Sequence, residues 1–473
     1  MKKGFAYLLF FLFTLIADAH PWDPAVHVIV TTDGGLDDMR AITFLLADPT
    51  VQVTAIIAAD GVLTAPDTWE KVRQLLERYH HEGIPVGLYR RGGMAAKGCP
   101  AARAFRWGPD PGDTLPPPPA DSVAARIFRF LPAKITWISL GSLAPAAHLL
   151  GSSSSFLQKT EKILWSADGD DLQHCFNYAL DPSAYQRVGA SGLPLHIICG
   201  PDAGNLYDPA TVDLIAQSHT PEAEAVYANL RTTLPGRGEL CDDGVFLFLT
   251  APRSFTSTEK GTVYHHRLRD TALARAREKL IETLDHISGH ELLILDHLPA
   301  DPSAYRNDVR NIVTATIDRY GSEEWAAAVI TGELHRHLGV FAIIGVKMGI
   351  RAREYFNVGP DAMKVISCAG SRPPLSCLND GLQAATGATL GHGLISVADT
   401  GTAPCARFFW LGNTITLSLK KNIADTLSAR LQEMKGKYGL ESDTYWDLLR
   451  EMTIREWQAL DRHNIFEIVG GNR

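Results

Sequence analysis

The most informative stretch of the chain is Val30-Thr31-Thr32-Asp33-Gly34-Gly35-Leu36-Asp37-Asp38. The β-branched, apolar run before it predicts a buried strand, and the apolar stripe from Met39 to Leu46 predicts a helix after it. Three carboxylates therefore lie at the carboxyl end of a strand, the edge where open α/β sheets bind ligands. Asp37 and Asp38 could cap the helix. Capping does not explain three acids together.

Three acids this close together restrict what can lie among them. Like charges repel unless a cation or a shared proton separates them. Oxygen-only clusters suit a hard cation such as calcium or magnesium rather than zinc. The stretch therefore predicts a site for a hard cation at this edge of the sheet.

Length, charge and cysteine content limit the class of protein. The 473 residues predict two or three domains. The formal net charge of -8, without a polybasic stripe, argues against nucleic acid or an anionic membrane as the main partner. The seven cysteines are an odd number without a framework spacing, so at least one stays free, binds something or pairs with another chain.

Residues 1–19 have the pattern of a secretory signal: Lys2 and Lys3, an apolar run from Gly4 to Ile16, and Ala17-Asp18-Ala19. The alternative is an uncleaved anchor helix, but the apolar run is short for spanning a bilayer. We therefore expect an exported, periplasmic protein without a stable membrane anchor.

Two domains are predicted, at residues 25–300 and 301–473. In the first, strand patterns (51–57, 84–88, 135–140, 195–199) alternate with helical patterns (68–79, 121–130), which predicts an α/β fold with a doubly wound, mostly parallel sheet. In the second domain this alternation ends. Residues 305–329 predict an amphipathic helix there, and residues 341–349 predict a buried one.

The opening stretch resembles the signature of the inosine/uridine-preferring nucleoside hydrolases, D-x-D-P-G-x-D-D, with Asp33, Gly35, Asp37 and Asp38 in matching positions. Three later stretches resemble that family in the same order: Leu140 to Pro145, Phe176 to Ala184, and Cys241 to Val245. Residues 25–300 are thereby similar to a calcium-dependent N-ribosyl hydrolase whose substrate is a nucleoside or a related small ribosyl compound.

The resemblance implies a role for each matching residue. The implied calcium ligands are Asp33, Asp38, Asp242 and the main-chain carbonyl of Ala144, with Asp243 as the alternative one position further on. Asp37 is the implied catalytic base, which takes a proton from the attacking water. Asn177 is the implied ligand of the ribose hydroxyls.

Several positions depart from the family pattern. Thr31 stands where the family has its first Asp, and Gly34 stands where it has Pro. At the substrate side, Cys175 replaces a sugar-binding Glu, and Cys241 replaces a His that often helps the base to depart. The implied calcium ligands are thus retained more fully than the implied substrate contacts.

The second domain carries another candidate metal site. His335 and His337 are two residues apart in a predicted loop, and Cys377 offers a soft ligand. Alternatively, one His caps or packs, and Cys377 is a small buried residue. The spacing alone does not decide between these interpretations.

The stretches around these residues resemble the FmdE domain, named for formylmethanofuran dehydrogenase, with F-H-G-H-L-G-P and later S-C-x-x-D-G-x-Q and T-G-A-T-L-G-K-G. The resemblance covers about residues 320–470 and implies an α+β, often dimeric module. It implies that His335, His337 and Cys377 bind a transition metal such as zinc. His392, which replaces the last Lys of the pattern, could add a ligand.

Two functions remain open on the sequence. The first is an exported, calcium-dependent N-ribosyl hydrolase that uses a metal-activated water. The alternative is a non-catalytic exported protein that binds a metal or ligand through a degenerate hydrolase domain, and Thr31, Cys175 and Cys241 favour it. Both resemblances also lead us to expect a homo-oligomer, at least a dimer.

Overall fold

The computed structural model describes residues 26–90, 98–112, 116–167, 172–200, 206–233, 242–285, 298–398 and 403–471. The predicted signal at 1–19 and the candidate substrate residue Cys241 lie outside these ranges. Within them, no helix has both the length and the apolar character needed to cross a membrane.

An eight-stranded sheet forms the centre of the first domain, in the order β3-β2-β1-β4-β5-β6-β8-β7. Its strands are β1 (Val26–Thr32), β2 (Val51–Ala59), β3 (Val86–Tyr89), β4 (Ile135–Ser139), β5 (Thr160–Ser166), β6 (Leu195–Cys199), β7 (Phe255–Lys260) and β8 (Val263–Leu268). Neighbouring strands are parallel except at the edge, where β7 pairs antiparallel with β8. The strand order reverses between β1 and β4, so this is the point where a doubly wound sheet opens a ligand crevice.

Helices cover both faces of this sheet. They are α1 (Leu36–Ala47), α2 (Ala65–Arg78), α3 (Pro100–Ala104), α4 (Ala120–Phe130), α5 (Ala144–Ser152), α6 (Ser154–Lys159), α7 (Phe176–Leu180), α8 (Pro182–Gly189), α9 (Pro209–Gln217), α10 (Pro221–Thr233), α11 (Asp243–Thr250) and α12 (Leu273–Leu284). Val28 and Val30 pack into one apolar core and Ile29 into the other, because successive side chains of a strand face opposite sides. The predicted α/β fold is confirmed.

The second domain is α+β, as predicted. Its strands β9 (Lys364–Ser367), β10 (Ile395–Val397), β11 (Cys405–Trp410), β12 (Asn413–Leu419) and β13 (Phe466–Gly470) form a separate sheet in the order β10-β9-β11-β12-β13. Its helices are α13 (Asn307–Arg310), α14 (Val313–Tyr320), α15 (Ser322–His335), α16 (Val340–Phe356), α17 (Leu378–Thr386), α18 (Lys421–Tyr438) and α19 (Asp443–Ala459).

Helix α16 is the buried helix that the sequence predicts. Every residue of it except Glu354 is buried, and its charged side chains are paired. Lys347, for example, lies 2.5 Å from Glu324, and both side chains are fully buried. A buried charge needs such a partner, because desolvation is otherwise too costly.

The predicted amphipathic helix at 305–329 is wrong in its extent. The segment divides into α13, α14 and the start of α15, and α14 ends at Gly321, whose φ is +86°. A side chain at that φ would be strained, so glycine ends the helix. His335 is also not in a loop, because it is the last residue of α15.

The two domains meet at the amino ends of the first sheet. The turn that precedes β3 contacts the end of α16: Gly83 N–H donates to the Tyr355 carbonyl at 2.8 Å, and Arg351 Nη2 donates to Glu82 at 2.7 Å. Asn357 donates to the Leu46 carbonyl near the start of β2. This interface therefore lies at the amino ends of the strands, whereas Asp33, Asp37 and Asp38 lie at the carboxyl ends.

Gly83 tests this interface, because a Cβ atom there would lie 2.6 Å from the Tyr355 carbonyl oxygen and 2.5 Å from its ring. We expect Gly83→Ala to lower the free energy of unfolding by about 1–3 kcal/mol through overpacking. The matched control is Gly436→Ala in α18, where a Cβ would meet nothing within 4 Å. Denaturant unfolding of the full chain measures both, and equal stability of the Gly83 variant and wild type would contradict the prediction.

Candidate functional site

The acids predicted from the sequence come together at the crevice between β1 and β4. Asp33 follows β1, Asp37 and Asp38 lie in the first turn of α1, and Asp242 immediately precedes α11. Carboxylate oxygens of Asp37, Asp38 and Asp242 lie within 4.8 Å of one another. Asp33, Asp38 and Asp242 are buried, whereas Asp37 is half-buried.

Asp33 has a buried oxygen without a protein partner. Its Oδ2 accepts no hydrogen bond from the described residues. A Cβ atom at Gly61 would lie 2.1 Å from this oxygen, and one at Gly141 would lie 3.0 Å from it. Two glycines thus let the main chain pack against Asp33. A buried carboxylate oxygen without a donor is costly, so this position fits a bound cation.

Neighbouring hydroxyl and amide groups orient the other acids. Asp38 Oδ2 accepts hydrogen bonds from Thr32 Oγ1 at 2.7 Å and from the Asp33 amide at 3.0 Å. Ser166, the last residue of β5, donates to Asp242 Oδ1. Asp38 and Asp242 are therefore each oriented by a residue at the carboxyl end of a strand.

Electrostatics explains why protein groups alone satisfy this cluster poorly. Burial, and then the charges of Asp38 and Asp37, raise the pKa of Asp33 well above its usual value. Burial, and then the charges of Asp37 and Asp38, do the same to the pKa of Asp242. Burial and the charge of Asp38 raise the pKa of Asp37 to about 7. The ionised cluster is thus unfavourable without a compensating positive charge.

Asp242 and Asp243, the two alternatives for the last calcium ligand, have different partners in the structure. Asp242 belongs to the acid cluster. Asp243 Oδ2 accepts hydrogen bonds from Arg40 Nε at 2.9 Å and from Nη2 at 2.6 Å, and both side chains are buried. Arg40 Nη1 also donates to Asn229. Asp243 therefore neutralises a buried guanidinium beside the cluster.

Asn177 lies between the ends of β4 and β5. Its Nδ2 donates to the carbonyls of Leu140 at 2.6 Å and Ser166 at 3.0 Å, which uses both amide hydrogens. Cys175, one residue before α7, is a half-buried free thiol. Ala144 is the first residue of α5, directly after the β4 turn, and its carbonyl contact with a metal stays a prediction.

Five residues that contact the acids, or their neighbour Asp243, were not predicted from the sequence. Gly61, Gly141, Thr32, Ser166 and Arg40 all act on the acids or on their neighbour Asp243. Gly61 follows β2, and Ser166 ends β5, so the carboxyl ends of the strands are the signal that could identify them. Thr31, in contrast, is buried, and its hydroxyl donates to the Ile138 carbonyl.

The second cluster brings His335, His337 and Cys377 together, with one ligand atom of each within 4.8 Å of the others. His335 Nδ1 lies 2.7 Å from Asp380 Oδ2, while its buried Nε2 has no hydrogen-bond partner among the described residues. A Cβ atom at Gly339 would lie 3.4 Å from His337 Nε2 and 3.5 Å from His335 Nε2. Both Nε2 atoms therefore face the same position.

This arrangement has the geometry that a metal site with a supporting carboxylate requires. A metal-binding imidazole commonly gives its other nitrogen to a carboxylate, which fixes the ring and its tautomer. Asp380 has that relation to His335. A cavity of about 320 Å³ opens beside His335, Cys377 and Asp380. His392 is not part of the cluster, since its Nδ1 lies 3.4 Å from Asp361.

Two family models match the chain, one in each domain. A family model described as inosine-uridine preferring nucleoside hydrolase matches residues 28–276, which is more than half of the chain. The chain belongs to this family. A second model, described as FmdE, molybdenum formylmethanofuran dehydrogenase operon, matches residues 334–457. Both predicted resemblances are confirmed.

Among curated proteins, the chain is 28% identical over 210 residues to the pyrimidine-specific ribonucleoside hydrolase RihA of Salmonella arizonae, covering 40% of this chain and 65% of that protein. It is 26% identical over 216 residues to RihA of Klebsiella pneumoniae, covering 43% of this chain and 69% of that protein. The chain thus spans a little less than two thirds of the first relative's length.

Among solved structures, a plant nucleoside hydrolase, PpNRh1, is 17% identical, with a TM-score of 0.45, covering 55% of this chain and 99% of that one. The inosine-uridine preferring nucleoside hydrolase of Bacillus anthracis is 13% identical, also with a TM-score of 0.45, and the coverage is again 55% and 99%.

The neighbours Asp242 and Asp243 should respond differently to substitution. We expect Asp242→Asn to weaken the binding of calcium, used as a probe cation, by about tenfold or more, as loss of even an outer-shell partner does. Asp243→Asn should instead destabilise the chain by about 3–5 kcal/mol, because Arg40 then keeps a buried charge without its carboxylate. Calorimetric titration and thermal unfolding measure the two effects, and the reverse assignment of effects would contradict this geometry.

For the second cluster, we expect His335→Ala and Cys377→Ser each to lose bound zinc, because each removes one of three converging ligands. The matched control is His392→Ala, which should retain zinc because His392 lies outside the cluster. Metal analysis of the chain after dialysis against zinc and then buffer measures this. Equal zinc in all three variants would show that the cluster is not a metal site.

Proposed function

We propose that the first domain is a calcium-dependent N-ribosyl hydrolase acting on a nucleoside or a related ribosyl compound. The observation that carries the proposal is the convergence of carboxylate oxygens from Asp37, Asp38 and Asp242 at the crevice of the sheet. Beside them lies the buried Asp33, whose Oδ2 has no donor among the described residues. Membership in the nucleoside hydrolase family supports the reaction class. The names of the curated relatives add pyrimidine ribonucleosides as candidate substrates.

The residues fit calcium by the chemistry of their donor atoms. Asp33, Asp38, Asp242 and the Ala144 carbonyl would hold the ion, and all are oxygen donors. Calcium supplies positive charge there, which attracts the sugar diol and makes a nearby water more acidic.

Asp37 is the proposed general base. It is half-buried, whereas its three acidic neighbours are buried, so it is the acid of this group most open to the crevice. A carboxylate beside a bound cation stays ionised at neutral pH, so Asp37 can accept a proton from water as that water attacks the anomeric carbon. As the water attacks, the bond from the anomeric carbon to the nucleobase breaks, and the carbon passes through an oxocarbenium-like transition state.

Asn177 can make fewer hydrogen bonds to a ribose than the resemblance implies. Because two main-chain carbonyls use its Nδ2 hydrogens, it can meet a ribose hydroxyl only through Oδ1, as an acceptor. Its amide also ties β4 to β5 beside Asp242, so it positions the edge that carries the acids.

This chain differs from the family pattern in the group that would protonate the departing nucleobase. Cys241 holds the position of the family's His, and a thiol is a weak acid for this purpose at neutral pH. The proton would then come from solvent. Substrates whose leaving group needs no protonation should therefore be cleaved faster than ordinary nucleosides.

We also propose a transition metal, such as zinc, at His335, His337 and Cys377, supported by the convergence of their ligand atoms. The signal-like pattern of residues 1–19 supports export to the periplasm.

The alternative function is non-catalytic binding of a ribosyl ligand. Thr31 favours it, because a strand hydroxyl bonded to Ile138 stands where the family has an acid. Turnover distinguishes the two functions, since both predict calcium binding.

Asp37→Asn tests the mechanism. We expect turnover to fall by about 10²–10⁴-fold, the usual contribution of a general base, while calcium still binds. The assay measures ribose release from uridine, cytidine, inosine and p-nitrophenyl riboside, with calcium and then with chelator. The control is Asp213→Asn, an exposed acid of α9.

Full turnover in Asp37→Asn would remove this mechanism. Calcium binding by wild type without release of ribose from any compound would favour the binding protein instead. Faster cleavage of p-nitrophenyl riboside than of nucleosides would support solvent protonation of the departing base.

A further inference from the structure

Two cysteines of the second domain face each other across antiparallel strands. β9 pairs with β11 so that Ser367 is opposite Ala406, which places Cys368 opposite Cys405 at the next position. The Cys368 amide donates to the Cys405 carbonyl at 2.9 Å. The two thiols are also within hydrogen-bond reach of each other.

This juxtaposition matches the requirements of a disulfide. Directly opposed residues of antiparallel strands have Cα atoms about 4.5–5.5 Å apart. Disulfides span Cα separations of about 4.4–6.8 Å, so the backbone can stay where it is. Both residues are half-buried free thiols and remain open to reagents. Neither belongs to the metal cluster.

We propose that Cys368 and Cys405 form a disulfide in an oxidising compartment, and that this link closes the segment that supplies Cys377 to the second metal site. The segment between them contains Cys377 and Asp380. Apart from His335, every residue that lines the adjacent cavity also lies within it. The link therefore ties together both ends of the segment that lines this cavity and supplies Cys377.

The pairing also decides which thiol is left to bind a metal. With Cys368 and Cys405 joined, Cys377 is the remaining thiol of the second domain. It is then protected from pairing with either of them, and a thiolate ligand stays available beside His335 and His337. The inference does not rest on the proposed hydrolase activity, because it concerns residues of the other domain.

The chemistry is a thiol–disulfide exchange with a disulfide oxidant such as oxidised glutathione. One cysteine thiolate attacks the oxidant and displaces one glutathione thiol, which leaves a mixed disulfide. The second cysteine attacks that sulfur and displaces the other glutathione thiol. Two protein thiols are thereby oxidised, and one oxidant molecule is reduced to two thiols.

Peptide mapping of the full chain tests the link. After exposure to oxidised glutathione, the unfolded chain is alkylated without reduction and digested with trypsin and an endoproteinase that cuts before aspartate. We expect peptide Val365–Asn379 to be joined to peptide Asp399–Arg407, and the joined species to separate after reduction. Two fewer cysteines than the seven in the sequence should be alkylated.

Variants identify the sulfurs, because Val365–Asn379 contains both Cys368 and Cys377. The link should persist in Cys377→Ser and disappear in Cys368→Ser. If a serine variant folds poorly, fragment ions from the wild-type joined peptide give the same assignment without any substitution. Alkylation of all seven cysteines, or a link through Cys377, would overturn the proposal.

A second measurement uses wild type in both redox states. Closing a loop restricts the unfolded chain, so we expect the oxidised chain to unfold a few degrees higher than the chain reduced with a phosphine. In Cys368→Ser/Cys405→Ser the two conditions should give the same midpoint. An equal response of the double variant and wild type to the oxidant would assign the effect to other cysteines.

Discussion

Four carboxylates near one edge of a sheet set the main constraint on this protein. Asp33, Asp37, Asp38 and Asp242 come from two separate parts of the chain, and the charges of Asp37 and Asp38 raise the cost of ionising Asp33 and Asp242. Thr32 and Ser166 supply hydrogen bonds, but these neutral donors do not cancel charge. The fold therefore needs protons or a cation there. Its crevice, where the strand order reverses, is where a cation and a sugar can meet.

Arg40 shows how closely the surroundings are adapted to that constraint. A guanidinium near four acids could neutralise them directly, but Asp243 and Asn229 hold it in a separate buried pair. The guanidinium of Arg40 is thus paired with Asp243 and does not lie among the four clustered acids. Two consecutive aspartates consequently have different surroundings: Asp242 lies among other acids, and Asp243 completes an ion pair in the core.

The sequence predicts the sheet, the acids and the second cluster because each has a local signal. Strand and helix periodicity locate β1, β2, β4 and β6 to within a few residues, and the crowded acids indicate a cation site. Gly61 and Gly141 could not be assigned in this way, since their importance comes from distances across the sheet to Asp33. The choice between Asp242 and Asp243 likewise depended on Arg40, about two hundred residues away in the chain. The β7–β8 hairpin at the sheet edge also lacked a sequence signal strong enough to predict it.

The position of the domain interface has a consequence for how such a chain can change over evolutionary time. The second domain is attached where the strands of the first sheet begin, through Glu82, Gly83 and Leu46, whereas the acids lie where the strands end. Strand β1 alone separates these edges by about 23 Å, and α16 extends about 25 Å further into the second domain. Loops around the acids can therefore accumulate substitutions, such as the one at Cys175, without disturbing the attachment. Residues around the acids of the first domain can therefore change during evolution without requiring changes in the second domain.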